Sequence, residues 1–480
     1  MRLVGPRPLS FNPIVRLSAD LLAERRTEVP FPPGETRVSL RRTRGFAQDP
    51  LTLLLDAYER FGPVFTMRVF HGNNVFMIGP EANHYMTVSH ASNFSWREGH
   101  MGDLAALLGN GLLTTDGEYH HVSRRIMLPA FHHEAIAGAL STMNAEIDRA
   151  VAEWRDGARI DIYGQTRRLA LRIAMRALFG FDPDGARVDM AGNFVQALGF
   201  WSHDVWMQVL RGPGTPFGRM QEARRALDSV IFDEIARRRR DGERGQDVLS
   251  LLLDAVDEDG NRLTDRQVRD QVMTLLFAGH DTTTSTIGFM FYELARHPEI
   301  AAELRVEQER ELGGELPDAA TLMGGRLKLL EMVQDETLRM YPPAWIGARK
   351  SLASYVFAGQ RVPGGVYVNY SSWVSHHLPH VFPEPYEFRP ERFSPEAKAA
   401  LPKGAYVPFG GGSRICIGMR FGQLEVKAIA SALVRQFDFE LEPGYRLRIR
   451  QMPTIGPRAG IPLIVHRRRP VQAPRARLAA

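Results

Sequence analysis

Between Asp265 and Arg296 apolar residues recur at three- and four-residue spacing without a break, and His297-Pro298 closes the run. At 1.5 Å per residue a helix of about 30 residues is about 45 Å long. That is enough to cross a whole domain, so a chain of 480 residues must pack its other elements around one central rod. The flanking sequence has the same texture. Residues 104–108, 136–154, 166–178, 223–240 and 248–256 repeat the helical spacing, and a helix over 51–61 ends at Gly62-Pro63.

Strand formers are confined to short stretches. Residues 64–70 and 75–78, joined by His71-Gly72-Asn73-Asn74, read as a hairpin. After Pro342-Pro343 short strands with glycine turns follow, such as 355–357 and 365–369, before a helix returns at 418–437. The fold class expected is mainly α with a small β portion, in one domain over 41–468. An irregular segment with a proline-rich entry at Pro30, Pro32 and Pro33 precedes it over 1–40, and a basic tail follows over 469–480. Within the first segment, 13–24 has amphipathic spacing, for which a packed terminal helix is the economical reading and contact with a membrane surface the other.

Composition narrows the function classes. Hydrophobic residues make up 44% and charged residues 24%, as in a globular protein. The net charge of +5 comes with only 5 lysines among 60 basic residues, and it is spread thinly. Its densest run, Arg237 to Arg240 before Asp241-Gly242, reads as an exposed helix end where cations suit the dipole. No zinc-finger spacing and no basic patch interleaved with aromatics supports nucleic-acid binding. No stretch reaches the roughly 18 apolar residues of a transmembrane helix. The first residues carry prolines and arginines where a signal peptide needs an apolar core, so a cytoplasmic protein is expected.

Cys416 is the single cysteine, which excludes an intrachain disulfide and an all-cysteine zinc site. A lone cysteine is most often an apolar filler, but its neighbours here are unusual. Residues 409–418 read Phe-Gly-Gly-Gly-Ser-Arg-Ile-Cys-Ile-Gly, after Pro408 and ahead of a helical run. Three successive glycines allow a tight backbone to lie close to a flat ligand. A helix N-terminus favours a thiolate over a thiol, and Arg414 offers a fork for a carboxylate. A glycine turn before an ordinary helix would explain the glycines, but not the cysteine and arginine together.

This segment resembles the haem-binding loop of the cytochrome P450 family, Phe-x-x-Gly-x-Arg-x-Cys-x-Gly, at every specified position. The resemblance implies a single-domain cytochrome P450 fold of the bacterial soluble type, with haem b between the long helix and the helix after the Cys loop. It makes Cys416 the axial ligand of the iron, whose thiolate favours O–O cleavage. It places Phe409 near the sulfur, Gly418 in the loop and Arg414 on a haem propionate.

Three further motifs occur in family order. Within the long helix 278–283 reads Ala-Gly-His-Asp-Thr-Thr; Ala278, Gly279 and Thr282 share a face, and small residues there leave room for a ligand. Back-bonding of the threonines to helix carbonyls is the alternative. The resemblance assigns Ala278 and Gly279 to an oxygen pocket and Asp281 with Thr282 to a proton relay for bound dioxygen; His280 is structural. Glu336-Thr337-Leu338-Arg339 and the Arg392 of Phe388-Arg389-Pro390-Glu391-Arg392-Phe393 resemble a buried ion-pair network beneath the haem loop. His120 and Arg124, with His121 and Arg125 as competing register, and Arg349 after Pro342-Pro343 resemble propionate ligands. Substrate contacts are implied at Phe94, Phe200, Phe277, Trp345 and Ile455, among apolar residues that would equally suit any core.

Other sites fail on spacing. An EF-hand with Gly260 at position six would start at Ala255 and end at Arg266, so Asp257-Glu258-Asp259 is not one. His376, His377 and His380 sit among Pro379 and Pro383 and read as a solvated loop. The activity implied is insertion of one oxygen atom from O2 into a hydrophobic substrate, by hydroxylation or epoxidation. With no flavin or iron–sulfur segment in the sequence, electrons are expected from a ferredoxin or flavodoxin with its NAD(P)H-dependent reductase. A peroxide-driven peroxygenase and a non-catalytic haem sensor or carrier are the competing readings. Asp281-Thr282 weighs against both, since a sensor needs no proton relay and the resemblance implies that peroxide-driven members often lack the acid-alcohol pair.

Overall fold

The computed structural model describes residues 5–6, 13–69, 71–184, 188–203, 205–242, 245, 247–256, 260–313 and 315–468. The expected basic tail over 469–480 and the acidic run 257–259 lie outside them.

The central helix forms over Asp265–Arg296, as the periodicity predicts. Its start is set by a capping box in which the Thr264 side chain accepts from the Gln267 N–H and Gln267 answers to the Thr264 N–H. Pro298 stops it and begins the next helix, Pro298–Leu312. Three successive polar residues near its start are buried and bonded to neighbouring segments. Arg269 pairs with Asp228 and donates to Leu107 O, Asp270 accepts from Asn110 N, and Gln271 accepts from Leu112 N. The helices Ile162–Ile173, Lys328–Met340 and Met419–Gln436 pack around this rod.

The β portion is a mixed six-stranded sheet in the order Gly34–Glu35, Val64–Val69, Gly72–Met77, Tyr367–Tyr370, Gly347–Ser351, Phe94–Ser95. The predicted hairpin is present with a tighter turn. Val69 pairs with Gly72, so Gly72, Asn73 and Asn74 belong to the strand. Glu24 holds them there, accepting from the Asn73 N–H. A second sheet joins Phe437–Leu441, Pro462–Arg467 and Ala158–Asp161, all antiparallel.

The packed terminal helix read at 13–24 forms as Pro13–Arg25, docked on the Gly72–Met77 strand. Two expectations are corrected. Arg238 is not part of an exposed helix end. It is 2% exposed, bonded to Glu234, Asp247 and Phe179 O, because it lies on the inner face of the helix Pro216–Asp241. His376 and His377 are buried, not solvated, since the short helix Ser372–Ser375 turns them into the core; only His380 is exposed.

Candidate functional site

The loop around Cys416 is closed by its own backbone. Cys416 N donates to Phe409 O at 3.0 Å, and the Met419–Gln436 helix starts after Gly418, which caps it. Gly410 and Gly412 have φ of 70° and 61°, the left-handed region that favours glycine. Gly412 also lies so close to the Thr87 carbonyl that any Cβ would collide with it. Cys416 opens on a cavity of about 560 Å³, lined in part by Arg124, Leu128, Phe131, Ile417 and Met419. Enough protein surrounds the sulfur that burial pushes the thiol up. The Gly418 N–H and the Arg124 cation offset this only in part. The helix N-terminus thus acts in the expected direction, towards the thiolate, but burial outweighs it; a coordinated metal cation would add to it.

On one side of this loop gathers a cluster of cations. Arg349 is 3% exposed, lies 3.4 Å from the Trp96 ring centroid and donates to Ala348 O. Arg414 donates to Asp116 Oδ1 at 2.6 Å and to Thr115 O at 2.8 Å. Asp116 also accepts from Ser95, Trp96 N and Arg97 N, so one carboxylate serves the group. Burial pulls Arg349 down to about 10, and burial with the nearby Arg349 and Arg124 cations, opposed by Asp116, brings Arg414 down to about 10. His120 is buried with Nδ1 unpaired and is held neutral, at about 3, by burial and then by Arg414, His121 and Arg124. His120 and Arg124 turn inward on the helix Gly117–Met127, while His121 and Arg125 are exposed. Buried guanidinium groups short of carboxylates, an unpaired imidazole and an open cysteine form a donor set that fits a planar dianionic metal cofactor.

The central helix faces this region with one opening. From Val268 to Phe291 every residue is buried except Ala278, Gly279 and Thr282. A Cβ built on Gly279 would meet nothing within 4 Å, so there is free space beside it. Thr282 Oγ1 donates to Ala278 O at 2.6 Å, the back-bonded state weighed from sequence. Asp281 does not share the open face. It is fully buried, accepts from Arg167 Nη2 at 2.9 Å and is bonded by Thr454 Oγ1. Burial pushes its carboxyl up, but Arg167, His280, Arg450 and Thr454 together hold it below the usual range. His280 packs against Phe194 with neither ring nitrogen paired, and burial holds it neutral at about 4.

Glu336, Arg339 and Arg392 come together in one ion-pair network. Arg339 makes a bidentate contact with Glu336 at 2.7 and 2.8 Å, both side chains fully buried, and Arg392 Nε lies 3.4 Å from Glu336. His376 connects it to the Cys loop. Val407 N–H donates to Nε2 at 3.0 Å, which leaves Nδ1 protonated to donate to Arg339 O at 3.2 Å.

The apolar positions divide. Trp345 donates to Gln451 O, Ile455 N donates to Pro343 O and Ser285 donates to Ile455 O, so Trp345, Ile455 and the central helix meet. Phe200 and Phe277 join the same core. Phe94 belongs to the separate cluster over the six-stranded sheet, with Tyr85 and Tyr355. Sequence reasoning missed Arg167, Trp96 and Asp116, and the bond from Thr454 to Asp281, because these contacts join distant segments. Among the described residues no cluster of His, Cys, Asp or Glu is placed to hold a metal ion by itself.

Comparison with known proteins agrees with this geometry. Residues 32–457 match the family model for cytochrome P450. A putative cytochrome P450 120 from Synechocystis is 31% identical over 444 residues, covering 91% of this chain and 97% of the relative. A cyclooctat-9-en-7-ol 5-monooxygenase from Streptomyces melanosporofaciens is 34% identical over 71% of this chain and 75% of its own length. The solved structure of a retinoic acid-bound cyanobacterial P450 superposes with a TM-score of 0.81 at 30% identity, covering 92% of this chain and all of that one. The chain belongs to the cytochrome P450 family. It is a haem-dependent monooxygenase, an oxidoreductase that uses O2 and takes electrons from redox partners.

Proposed function

We propose that Cys416 is the thiolate ligand of haem b, and that the enzyme inserts oxygen into a hydrophobic substrate by hydroxylation or epoxidation. The observation that carries this is the open strip Ala278, Gly279 and Thr282 on an otherwise buried helix. It offers a small ligand space and a single hydroxyl, and little else polar. Bound haem supplies the activation of dioxygen. Arg349, Arg414, His120 and Arg124 would hold its propionates by charge-assisted hydrogen bonds, and Phe409 would shield the sulfur. Thr282 Oγ1, released from Ala278 O, would donate at the oxygen pocket, and Asp281, released from its ion pair with Arg167, would be the carboxylate through which that proton is replaced.

Phe200, Phe277, Trp345 and Ile455 supply apolar surface for the substrate, and Phe94 is left to the sheet core. The relatives that oxygenate cyclooctat-9-en-7-ol and bind retinoic acid support an apolar, largely hydrocarbon substrate. Residues 41–468 form the catalytic domain, with a ferredoxin or flavodoxin and its NAD(P)H-dependent reductase as electron donors in the cytoplasm. The test is the carbon monoxide difference spectrum of the reduced protein, followed by a binding screen with retinoic acid and cyclic alkenols. Wild type should show the thiolate band and Cys416→Ser should lose it, since no second cysteine exists. A retained band in Cys416→Ser would overturn the ligand assignment.

A further inference from the structure

The helix Pro13–Arg25 is docked by its charged side. Asp20 accepts from the Tyr367 hydroxyl at 2.9 Å and lies 2.8 Å from His71 Nε2, and Glu24 pairs with Arg68 at 2.6 Å. The apolar side faces out: Ile14 is 74% exposed, Leu17 39%, Leu21 38% and Leu22 49%. An amphipathic helix that packed to cover its apolar stripe would do the reverse. The chain that follows extends the surface. Arg68 donates to Thr36 O, bringing the 36–40 segment beside Glu24, and there Val38 and Leu40 are 74% and 85% exposed.

The rim of this face is basic. Arg25, Arg26, Arg37, Arg41 and Arg44 are exposed. The acids nearby are mostly engaged: Asp20 and Glu24 as above, and Glu35 with Arg42 and Arg60, which leaves Glu28 as the exposed acid of the segment 13–46. Apolar residues at the centre with arginines around them complement a surface that is apolar inside and negative at its edge. A second copy fits poorly. A strip about 20 Å by 10 Å offers about 200 Å² per copy, far below the roughly 800 Å² per partner of a stable pair, and a two-fold contact would set arginine rim against arginine rim.

We propose that this face docks the enzyme on an anionic phospholipid bilayer, the helix lying in the headgroup layer without crossing it. Among the described residues no helix is long and apolar enough to cross a membrane. The proposal is independent of the catalytic reading, and its test does not use activity. Full-length haem-loaded protein is co-sedimented with vesicles of phosphatidylglycerol and phosphatidylcholine, and with phosphatidylcholine vesicles alone. Wild type should partition at least tenfold better to the anionic vesicles, and raised salt should weaken it. Leu17→Gln/Leu21→Gln/Leu22→Gln, all at exposed positions, should lose roughly tenfold or more in partitioning with an unchanged melting curve. Arg25→Gln/Arg26→Gln should lower binding to anionic vesicles only. Absence of wild-type partitioning, equal partitioning of the triple variant, or no preference for anionic lipid would each overturn the proposal. So would self-association of the wild type in sedimentation velocity that the triple variant abolishes, since the occupant would then be a second copy.

Discussion

Arg167 holds Asp281 away from Thr282. Its Nη2 donates to Asp281 Oδ1 at 2.9 Å, while the Thr282 hydroxyl turns back to Ala278 O at 2.6 Å. The proposed acid and alcohol are adjacent in sequence, but in this state they face different parts of the protein. A carboxylate with no exposure is tolerable because a cation and a hydroxyl answer it.

Arg167→Gln removes that answer, so burial should prevail over the remaining contacts of Asp281. At neutral pH the expected cost is about 3–5 kcal/mol in urea unfolding, and Arg167→Gln/Asp281→Asn should recover most of it. The sign with pH follows from the lowered Asp281 carboxyl. Its stabilising contribution is present above the ordinary carboxylate range and lost as pH falls through the folded value. The gap between wild type and Arg167→Gln should therefore narrow in acid. A gap that stays constant from pH 7 to pH 3 would show that the pair is not the cause.

Arg339 and Arg392 both approach Glu336, yet the geometry ranks them. Arg339 is fully buried, bidentate, and donates as well to the carbonyls of His376 and Pro385. Arg392 contributes one longer contact at 3.4 Å from a partly open position. Arg339→Ala should cost about 3–5 kcal/mol and reduce haem loading, because Glu336 and several carbonyls lose their partner. Arg392→Ala should cost about 1 kcal/mol or less. Equal losses for the two variants in chemical unfolding would contradict this ranking.

His280 is buried and held at about 4, against an ordinary histidine value near 6.5. The unfolded chain binds the proton first, so stability should fall as pH drops from about 6.5 to 4 and level off below. This site alone contributes about 3 kcal/mol to that loss. His280→Leu should keep its stability at pH 7.5, since neither ring nitrogen is paired, and should show a shallower decline towards pH 4. Thermal melts across that range decide it. A slope matching wild type would mean that other buried histidines carry the whole effect.

What could be read from sequence was what has a local signature. The central helix announced itself by unbroken periodicity and its end by Pro298, and the Cys loop by three successive glycines ahead of Arg414 and Cys416. Glu336 and Arg339 sit one helical turn apart, so their pairing follows from spacing. The partners that decide charge states were not legible, because they arrive from distant segments. Arg167 and Thr454 reach Asp281 across 114 and 173 residues. His376 looked solvated among prolines, until the loop at Val407 folded over it. The N-terminal helix showed amphipathic spacing, but which side would face the protein depended on Tyr367 and Arg68.

The last prediction concerns Thr282. Its hydroxyl sits on the open strip with Ala278 and Gly279, and its one bond in this state is to a carbonyl of its own helix. Removing it leaves the helix ladder and the Arg167–Asp281 pair intact, so Thr282→Ala should be within about 0.5 kcal/mol of wild type in stability. Haem content and affinity for an accepted substrate should also be close to wild type. What should change is the fate of electrons. Productive O–O cleavage needs a proton delivered to the outer oxygen, and without the hydroxyl a larger share of reduced nicotinamide should end as hydrogen peroxide. The measurement is product formed per electron pair consumed, with a ferredoxin and its reductase, alongside peroxide yield. Added hydrogen peroxide should restore part of the product in Thr282→Ala. Unchanged coupling would remove Thr282 from proton delivery and return the peroxygenase and sensor readings to contention.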